Sequence, residues 1–228
     1  MKISIEANSI CGLKQTQRGT GLQDSYYVIS RPDGFSAAVT DGASCAGCAA
    51  QGAEITAQCV VRILGSDLSG SCRTEKIKLS ERIMAELDRE LDRAARNKDI
   101  ARKELASTLM FAAFDGKELL FGHLGDGVIM GLHGGNASVI SFPDNDGGSG
   151  TYLTSTRNAG EHLRICKVNA ADYDGIVLMT DGMMKSMFSD LYIPKKTLPF
   201  EELLYSAADG SHNDDASFVI IKWRNKNG

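Results

Sequence analysis

The sequence predicts an α+β fold: a central sandwich of two antiparallel β-sheets with helices on both outer faces. Three observations predict this α-β-β-α arrangement. Apolar runs typical of strands recur along most of the chain, two long helical patterns separate the first strands from the others, and a shorter helix precedes the last strand. Because strands and helices do not alternate one by one, the order is not that of a βαβ fold and fits antiparallel sheets packed on each other.

The strands are predicted from alternating or continuous apolar runs. Asp115-Gly116 lies between two of these runs and indicates a hairpin, because both central positions of a tight turn favour positive φ. The stretch 107–132 is therefore predicted to be an antiparallel meander. In chain order the predicted strands lie near 25–30, 35–40, 107–114, 118–124, 127–132, 137–142, 151–155, 163–168, 175–180 and 216–223.

Two long helices are predicted at about 45–64 and 75–98. The apolar residues of the first share one face, and Ser44 can cap its N-terminus. The second has an apolar stripe and, on its solvent side, two glutamate–arginine pairs spaced three residues apart. A shorter helix is predicted at 200–208.

The length and composition are those of one globular domain. The chain has 228 residues, of which 43% are apolar and 24% charged, and these are ordinary values. The loop expected at 143–150 is too short to be a domain linker. We therefore expect a single domain over residues 1–228.

Charge and hydropathy argue against two classes of partner. The net charge is −4 and no run of lysine or arginine occurs, so no basic surface for nucleic acid is expected. No apolar stretch approaches the roughly 20 residues that a membrane span needs, and the N-terminal residues do not resemble a signal peptide. We expect a cytoplasmic protein that binds neither nucleic acid nor a membrane.

The six cysteines are irregularly spaced. Without an export signal they are expected to be reduced thiols rather than a disulfide framework. Cys45 and Cys48 form one C-x-x-C, and no second pair stands at zinc-finger spacing. Small residues at the start of a helix are the favoured interpretation of this pair; metal or redox use is the alternative.

Asp-Gly occurs eight times in the chain, and three copies differ from the others. Asp41, Asp126 and Asp181 each end or interrupt an apolar strand, whereas the other five lie in polar stretches or between strands and are predicted to be turns. Asp24 and Asp214, at the starts of the first and last predicted strands, are similar. A carboxylate at the end of a buried strand is costly unless it is paired with a cation, and a following glycine lets the backbone approach closely.

If these strand ends converge, four to six carboxylates share one cleft. Crowded like charges would be forced to take up protons, and divalent cations would remove the repulsion. An all-oxygen site suits Mg²⁺ or Mn²⁺ better than zinc. The alternative is that each aspartate independently caps a turn.

Six short motifs follow one another along the chain: QDS (23–25), TDGAS (40–44), AST (106–108), GDG (125–127), TDG (180–182) and DDAS (214–217). In this order and spacing they resemble the metal-dependent protein phosphatases, the type 2C serine/threonine phosphatase family. The resemblance extends from about Gly12 to Trp223, and Gln-Asp in the first motif is similar to the shorter bacterial branch. It implies the same fold of two antiparallel sheets flanked by helices.

The resemblance also implies which residues hold two or three Mg²⁺ or Mn²⁺ ions. Asp41 is expected to bridge two metals, and the carbonyl of Gly42 to bind one of them. Asp181 and Asp214 are expected to ligate the other metal, and Asp24 to hold metal-bound waters.

Two further acidic residues have implied supporting roles. Asp126 matches the family position that is linked to an additional, weaker metal. Asp215 is expected to support Asp214 through hydrogen bonds.

The implied reaction is hydrolysis of phosphoserine or phosphothreonine in proteins by a hydroxide that bridges the two metals. No protein nucleophile is needed, which fits the lack of an obvious Ser-His-Asp or Cys-His motif. Phosphorylated proteins are the implied partners, together with a serine/threonine kinase that supplies them.

The sequence departs from the family pattern at three positions. Gln23 replaces a charged glutamate. Arg18, the candidate phosphate-binding residue, lies six residues before Asp24 rather than five, and a solvent-facing loop arginine is the alternative. Ala43 stands where many members have a histidine proposed as general acid; His123 lies close to Asp126 in sequence, but a core or strand-face histidine is the favoured interpretation.

Two other functions compete with the phosphatase hypothesis. One is a non-catalytic relative of the same fold that binds phosphoproteins or a regulatory partner; the presence of every expected direct ligand argues against it. The other is phosphoryl transfer through an aspartyl nucleophile at Asp41. That class expects a second acid two residues later, where this chain has Ala43.

Overall fold

The computed structural model describes residues 1–144, 150–189 and 192–224, which form ten strands in two five-stranded antiparallel sheets. The first sheet contains, in spatial order, β2 (Ser25–Arg31), β3 (Gly34–Thr40), β4 (Leu109–Phe114), β5 (Glu118–Leu124) and β8 (Arg164–Asn169). The second contains β1 (Lys2–Ile10), β10 (Ala216–Arg224), β9 (Gly175–Met179), β6 (Val128–His133) and β7 (Asn136–Ser141).

Helices cover the outer face of each sheet. α2 and α4 pack on the first sheet, and α6 and α7 pack on the second. The α+β sandwich that the sequence predicts is therefore confirmed. The described helices are α1 (Leu13–Arg18), α2 (Ala49–Ser66), α3 (Leu68–Arg73), α4 (Lys76–Lys98), α5 (Ala159–His162), α6 (Asp181–Met187) and α7 (Phe200–Ala208), with 3₁₀ turns at Arg102–Leu105 and Ala170–Asp172.

The central strands are continuous apolar runs because both faces of each sheet are covered there. β4 shows this most clearly: Phe111 packs under the helices of the first sheet, whereas Phe114 points between the sheets. Phe114 stacks on Trp223 of the second sheet with ring centroids 4.8 Å apart, and Phe35 lies 5.8 Å from both rings. These aromatic contacts join the two sheets at their common core.

The predicted meander at 107–132 is wrong at its second connection. β4 and β5 form the expected hairpin, but β6 leaves that sheet and pairs with β7 and β9 of the other. The hairpin turn also differs from the prediction. Gly116 has a φ of 89°, whereas Asp115 is not among the positive-φ residues; its carboxylate instead accepts the amides of Lys117 and Glu118, both at 3.0 Å, as a side-chain turn.

The first long helix begins later than predicted, and Ser44 does not cap it. α2 begins at Ala49 after Cys48, with no side-chain cap. The preceding residues are bonded to the 3₁₀ turn before β4 instead. The Cys48 amide donates to the Glu104 carbonyl at 2.9 Å, and the Gly47 amide donates to the Glu104 carboxylate at 2.7 Å.

The other long helix is α4, which agrees with the predicted bounds, and the pairs Glu86–Arg89 and Glu90–Arg93 lie on its exposed side. The shorter predicted helix is α7. Among the helices of the described residues, none has the length and apolarity that a membrane span requires.

One predicted strand is absent and one observed strand was not predicted. The residues 151–155 form no strand; the Thr154 amide donates to the Ser107 carbonyl and the Leu153 amide to the Thr156 hydroxyl, which makes a turn. Conversely, the edge strand β1 was not predicted, although its residues alternate between exposed and partly buried. Most of the predicted loop at 143–150 lies outside the described residues.

Candidate metal centre

Four of the predicted ligand aspartates, together with Gly42, line one cavity of about 410 Å³, which we call the carboxylate cleft. Asp41 follows β3, Asp126 lies where the chain crosses from β5 to β6, Asp181 begins α6 after β9, and Asp214 precedes β10. Antiparallel pairing places these positions at one end of the sandwich, since Leu124 faces Leu109 and Phe218 faces Met179. The four side chains come from four separate loops.

The loop at Asp41 is held in place by its neighbours on both sides. The Asp41 amide donates to the Thr108 hydroxyl at 2.9 Å, and the Asp41 carbonyl accepts the Thr108 amide at 2.8 Å. Gly42 donates its amide to the Gln23 carbonyl. A Cβ at Gly42 would lie 2.7 Å from that carbonyl oxygen and 2.8 Å from the backbone of Ala49, so no larger residue fits without a shift of the loop.

Asp24 does not line the cleft but is buried beside Asp41, so that two carboxylates are crowded together there. Asp24 is only 6% exposed and its Oδ2 accepts the Thr180 hydroxyl at 2.9 Å. Burial raises the pKa of Asp24 to about 7. Burial, and then the charges of Asp24 and Asp181, also raise the pKa of Asp41 well above its ordinary value. The pair therefore resists holding two negative charges unless a cation is near.

Asp126 extends the same cluster. Burial and the charge of Asp181 raise the pKa of Asp126, although the Thr151 hydroxyl donates to its Oδ2 at 2.8 Å. Gly125, at the crossing between the sheets, has a φ of 122°, a conformation that favours glycine. The GDG motif thus turns the chain from one sheet to the other and presents its aspartate to the cleft.

Asp181 and Asp214 are bonded to lysines. Lys185, one helical turn after Asp181 in α6, donates to the Asp181 carboxylate. Burial alone would lower the pKa of Lys185, but the bond to Asp181 and its charge outweigh burial, and the pKa is raised. Asp214 accepts Gln15 Nε2 at 2.6 Å and Lys14 Nζ at 3.1 Å; these bonds outweigh its partial burial and lower its pKa.

Asp215 connects the loops around the cleft rather than supporting the side chain of Asp214 alone. Its buried carboxylate accepts the Gly12 amide at 2.7 Å and the Gln23 amide at 2.6 Å. Its own amide lies 3.2 Å from Asp214 Oδ1. The expected support of Asp214 is therefore a backbone bond, and the Asp215 carboxylate holds the α1 loop and the first motif together.

The chemistry of these residues fits a divalent cation. The donors are oxygens throughout, as Mg²⁺ and Mn²⁺ prefer. Asp24 Oδ1 is buried and has no hydrogen-bond partner among the described residues. A buried oxygen without a donor costs folding free energy, and a bound cation would offset that cost. Within those residues, no three acidic, histidine or cysteine side chains are already gathered at metal-binding spacing, and two of the carboxylates are bonded to lysines instead.

The remaining predicted residues lie in different places. Arg18 ends α1, is exposed, and is not among the residues that line the cleft. His123 is fully buried: its Nδ1 lies 2.9 Å from the Ser141 hydroxyl, and burial followed by the charge of Arg164 lowers its pKa to about 3. This agrees with a core histidine. Ala43 lines the cleft, and all six cysteines are unpaired.

Sequence reasoning missed four residues that contact the predicted ligands: Lys14, Gln15, Thr151 and Lys185. Lys185 could have been found, because a lysine four residues after an aspartate forms an ion pair when the segment is helical. That required α6 to be predicted. Lys14, Gln15 and Thr151 gave no signal, since their partners are 200, 199 and 25 residues away in sequence.

The family profile described as protein phosphatase 2C matches residues 11–222. The chain belongs to the protein phosphatase 2C family. As a member it is a serine/threonine protein phosphatase, the enzyme class that the order of motifs predicted, and the non-catalytic alternative is not supported. Among curated proteins, none matches this sequence significantly.

Solved structures of phosphatases share the fold. Serine/threonine phosphatase Stp1 from Staphylococcus aureus superposes with a TM-score of 0.70 at 12% identity, over 99% of this chain and 96% of that one. The serine/threonine phosphatase PstP/Ppp from Mycobacterium tuberculosis gives 0.64 at 17% identity, over 98% and 99% of the two chains. The catalytic domain of PstP in complex with two manganese ions gives 0.66 at 17% identity, over 96% and 97%.

Proposed function

We propose that this phosphatase removes phosphate from phosphoserine and phosphothreonine in proteins with two or three Mg²⁺ or Mn²⁺ ions held in the carboxylate cleft. The observation that carries the proposal is the convergence of Asp24, Asp41, Asp126 and Asp181. Burial raises the pKa of Asp24, and burial together with the charges of neighbouring aspartates raises the pKa of Asp41 and Asp126. The PstP structure in complex with two manganese ions supports the choice of metal.

The roles proposed for the residues follow the family pattern. Asp41 and the Gly42 carbonyl would hold one metal, and Asp41 would also ligate a second metal held by Asp181 and Asp214. Asp24, buried beside Asp41, orients water at this site. When bound, the cations lower the pKa of water and offset charge on the phosphate oxygens.

Asp126 is proposed to hold an additional, weaker metal. Its position among the residues lining the cleft, together with the effect of Asp181 on its pKa, supports this role.

Arg18 is proposed to bind the phosphate, because a guanidinium can donate two hydrogen bonds to it. The support is its position on α1, whose residues Lys14 and Gln15 bond to Asp214 at the cleft. Arg18 makes no contact with the cleft itself, so this role requires its exposed side chain to turn towards a bound substrate.

We further propose that residues 1–228 are one phosphatase domain in the bacterial cytoplasm, acting on the products of a partner serine/threonine kinase. The family match covers nearly the whole chain, and the two sheets share one aromatic core. The similar structures from Staphylococcus aureus and Mycobacterium tuberculosis support the bacterial assignment.

The proposal is tested by hydrolysis of a phosphothreonine peptide and of an aryl phosphate with Mn²⁺, with Mg²⁺ and with EDTA. We expect turnover of both substrates with metal, a preference for the peptide, and none with EDTA. Chelator-resistant turnover by purified protein would rule out the metal mechanism. A preference for phosphotyrosine peptides or free nucleotides would contradict the substrate class.

A further inference from the structure

A second cavity, of about 450 Å³, adjoins the carboxylate cleft, and we call it the lysine pocket. Lys14, Lys185, Lys195 and Lys196 line it. Asp214 lines both cavities, and among the described residues it is the one acidic side chain in the pocket lining. The other polar side chains of the lining are neutral serines and an asparagine. A positive pocket therefore opens beside the site where phosphate is released.

The two outer lysines are held in place without compensation of their charge. Lys196 donates to the Ser206 hydroxyl at 2.7 Å, and Lys195 donates to the Lys185 carbonyl. Both acceptors are neutral, and no carboxylate of the described residues lies within ion-pair distance of either ammonium group. Ammonium groups fixed by neutral acceptors keep their full charge for a ligand.

The pocket differs from the rest of the molecule in the sign of its charge. The chain as a whole carries a net charge of −4, yet four lysines face one cavity. Opposite potentials at neighbouring sites select and orient a ligand that carries the matching charges. The matching ligand here has a phosphate for the cleft and a second anionic group for the adjoining pocket.

We propose that the lysine pocket binds acidic residues that flank the phosphorylated serine or threonine, so that the enzyme selects substrates with glutamate or aspartate next to the phosphosite. This proposal rests on the phosphatase function and adds a sequence preference to it. Asp214, shared by both cavities, is the boundary between the phosphate and its acidic flank.

The test compares phosphoserine peptides that are identical except for glutamate, alanine or lysine at the flanking positions. For the wild type we expect a KM about tenfold lower with glutamate than with lysine flanks, because several exposed ion pairs, each of them weak, act together. In Lys195→Glu/Lys196→Glu the ratio of the two KM values should fall to one or reverse. The matched control, Lys2→Glu/Lys117→Glu, changes two exposed lysines at the opposite end of the sandwich and should keep the wild-type ratio.

Equal KM values for the three peptides in the wild type, or a ratio unchanged in the double variant, would overturn the proposal. A folding defect would lower the apparent kcat for all peptides equally without changing the KM values of the folded fraction, so it cannot mimic a loss of selectivity. Lys195→Gln/Lys196→Gln provides a milder second variant. If no peptide and no aryl phosphate is hydrolysed, the proposed phosphatase function fails separately. Fluorescence anisotropy with the labelled glutamate and lysine peptides then decides whether the pocket selects acidic flanks, without requiring turnover.

Discussion

The two sides of the carboxylate cleft deal with negative charge in different ways. On the inner side, Asp24 and Asp41 are close together, neither forms an ion pair with a lysine or arginine of the described residues, and burial raises the pKa of both. On the outer side, Asp181 is bonded to Lys185 and Asp214 to Lys14, and the pKa of Asp214 is lowered. The inner pair therefore depends on a cation that the protein itself does not supply, whereas the outer pair already has lysines that compete with one.

The largest expected effect is on activity when the inner pair loses a charge. We expect Asp41→Asn to lower turnover more than about 100-fold, because loss of residues that merely orient metal ligands already costs roughly 10–100-fold. Asparagine keeps the size and one carbonyl oxygen but not the negative charge that a dication requires. The measurement is hydrolysis of a phosphothreonine peptide with Mn²⁺; Asp181→Asn should also be inactive.

Asp33→Asn and Asp115→Asn are the controls for that experiment. Both lie in turns between strands of the first sheet, far from the cleft, and asparagine keeps the oxygen that accepts backbone amides at Asp115. Near-normal activity is expected for both. Near-normal metal-dependent turnover by Asp41→Asn would mean that the strand-end aspartates are turn caps.

A smaller effect is expected from the proposed phosphate-binding residue. Arg18→Ala should raise KM by about tenfold, the effect of losing roughly 1.4 kcal/mol of binding energy, with a smaller loss in kcat. The reason is that phosphate is held in both the ground state and the transition state. Steady-state kinetics with a phosphothreonine peptide measure both constants. Normal kinetics for Arg18→Ala beside an inactive Asp41→Asn would leave the metal site intact and require another phosphate ligand.

The outer side should respond in the opposite direction to the inner side. Lys185→Met removes the ammonium group that competes with the metal for Asp181, so we expect Mn²⁺ to bind about two- to fivefold more tightly. This is the scale of one helical ion pair plus the repulsion between the ammonium group and Mn²⁺. Isothermal titration calorimetry measures the Kd. Weaker binding by Lys185→Met would show that the lysine supports the metal site rather than competing for it.

The smallest effect concerns stability in EDTA and its dependence on pH. The pKa of Asp24 rises from 3.8 to about 7 on folding, so the folded chain retains a proton that the unfolded chain releases between these values. Stability from this group is lost as pH rises through that window. The wild type should therefore melt at a lower temperature at pH 8 than at pH 5.

Asp41→Asn should relieve the repulsion of Asp41 by the neighbouring carboxylates Asp24 and Asp181. At pH 8 in EDTA we expect its melting temperature to exceed that of the wild type by about 2–4 °C, the shift that about 1 kcal/mol gives in a chain of this size. The difference in melting temperature should narrow at pH 5, where Asp24 of the wild type is protonated. Differential scanning fluorimetry at the two pH values measures it, and a lower melting temperature for Asp41→Asn at pH 8 would contradict the repulsion.

The carboxylates of the cleft could be predicted from the sequence, whereas the lysine and glutamine partners of the outer pair could not. Asp41, Asp126 and Asp181 were recognisable because a carboxylate ends or interrupts a buried apolar strand and a glycine follows it. The partners of Asp181 and Asp214 depend on α1 and α6, short helices of six and seven residues. Helices of that length have too few turns to show an apolar period.

The sheets show the same limit. Apolar runs identified most strands, and the Asp115-Gly116 turn identified a hairpin. Nothing in the apolar pattern of β6 states which sheet it joins, because strands of both sheets are buried on both faces. The crossing at Gly125 was therefore missed, although it is the feature that brings Asp126 to the cleft.

The most direct test of the metal centre is anomalous diffraction from crystals grown with Mn²⁺, which locates the ions without any assay. We expect at least two anomalous peaks in the carboxylate cleft, one within bonding distance of both Asp41 and the Gly42 carbonyl and another near Asp181 and Asp214. The Lys185 and Lys14 ammonium groups should then lie away from those carboxylates. An absence of peaks at saturating Mn²⁺, or peaks only outside the cleft, would contradict the account.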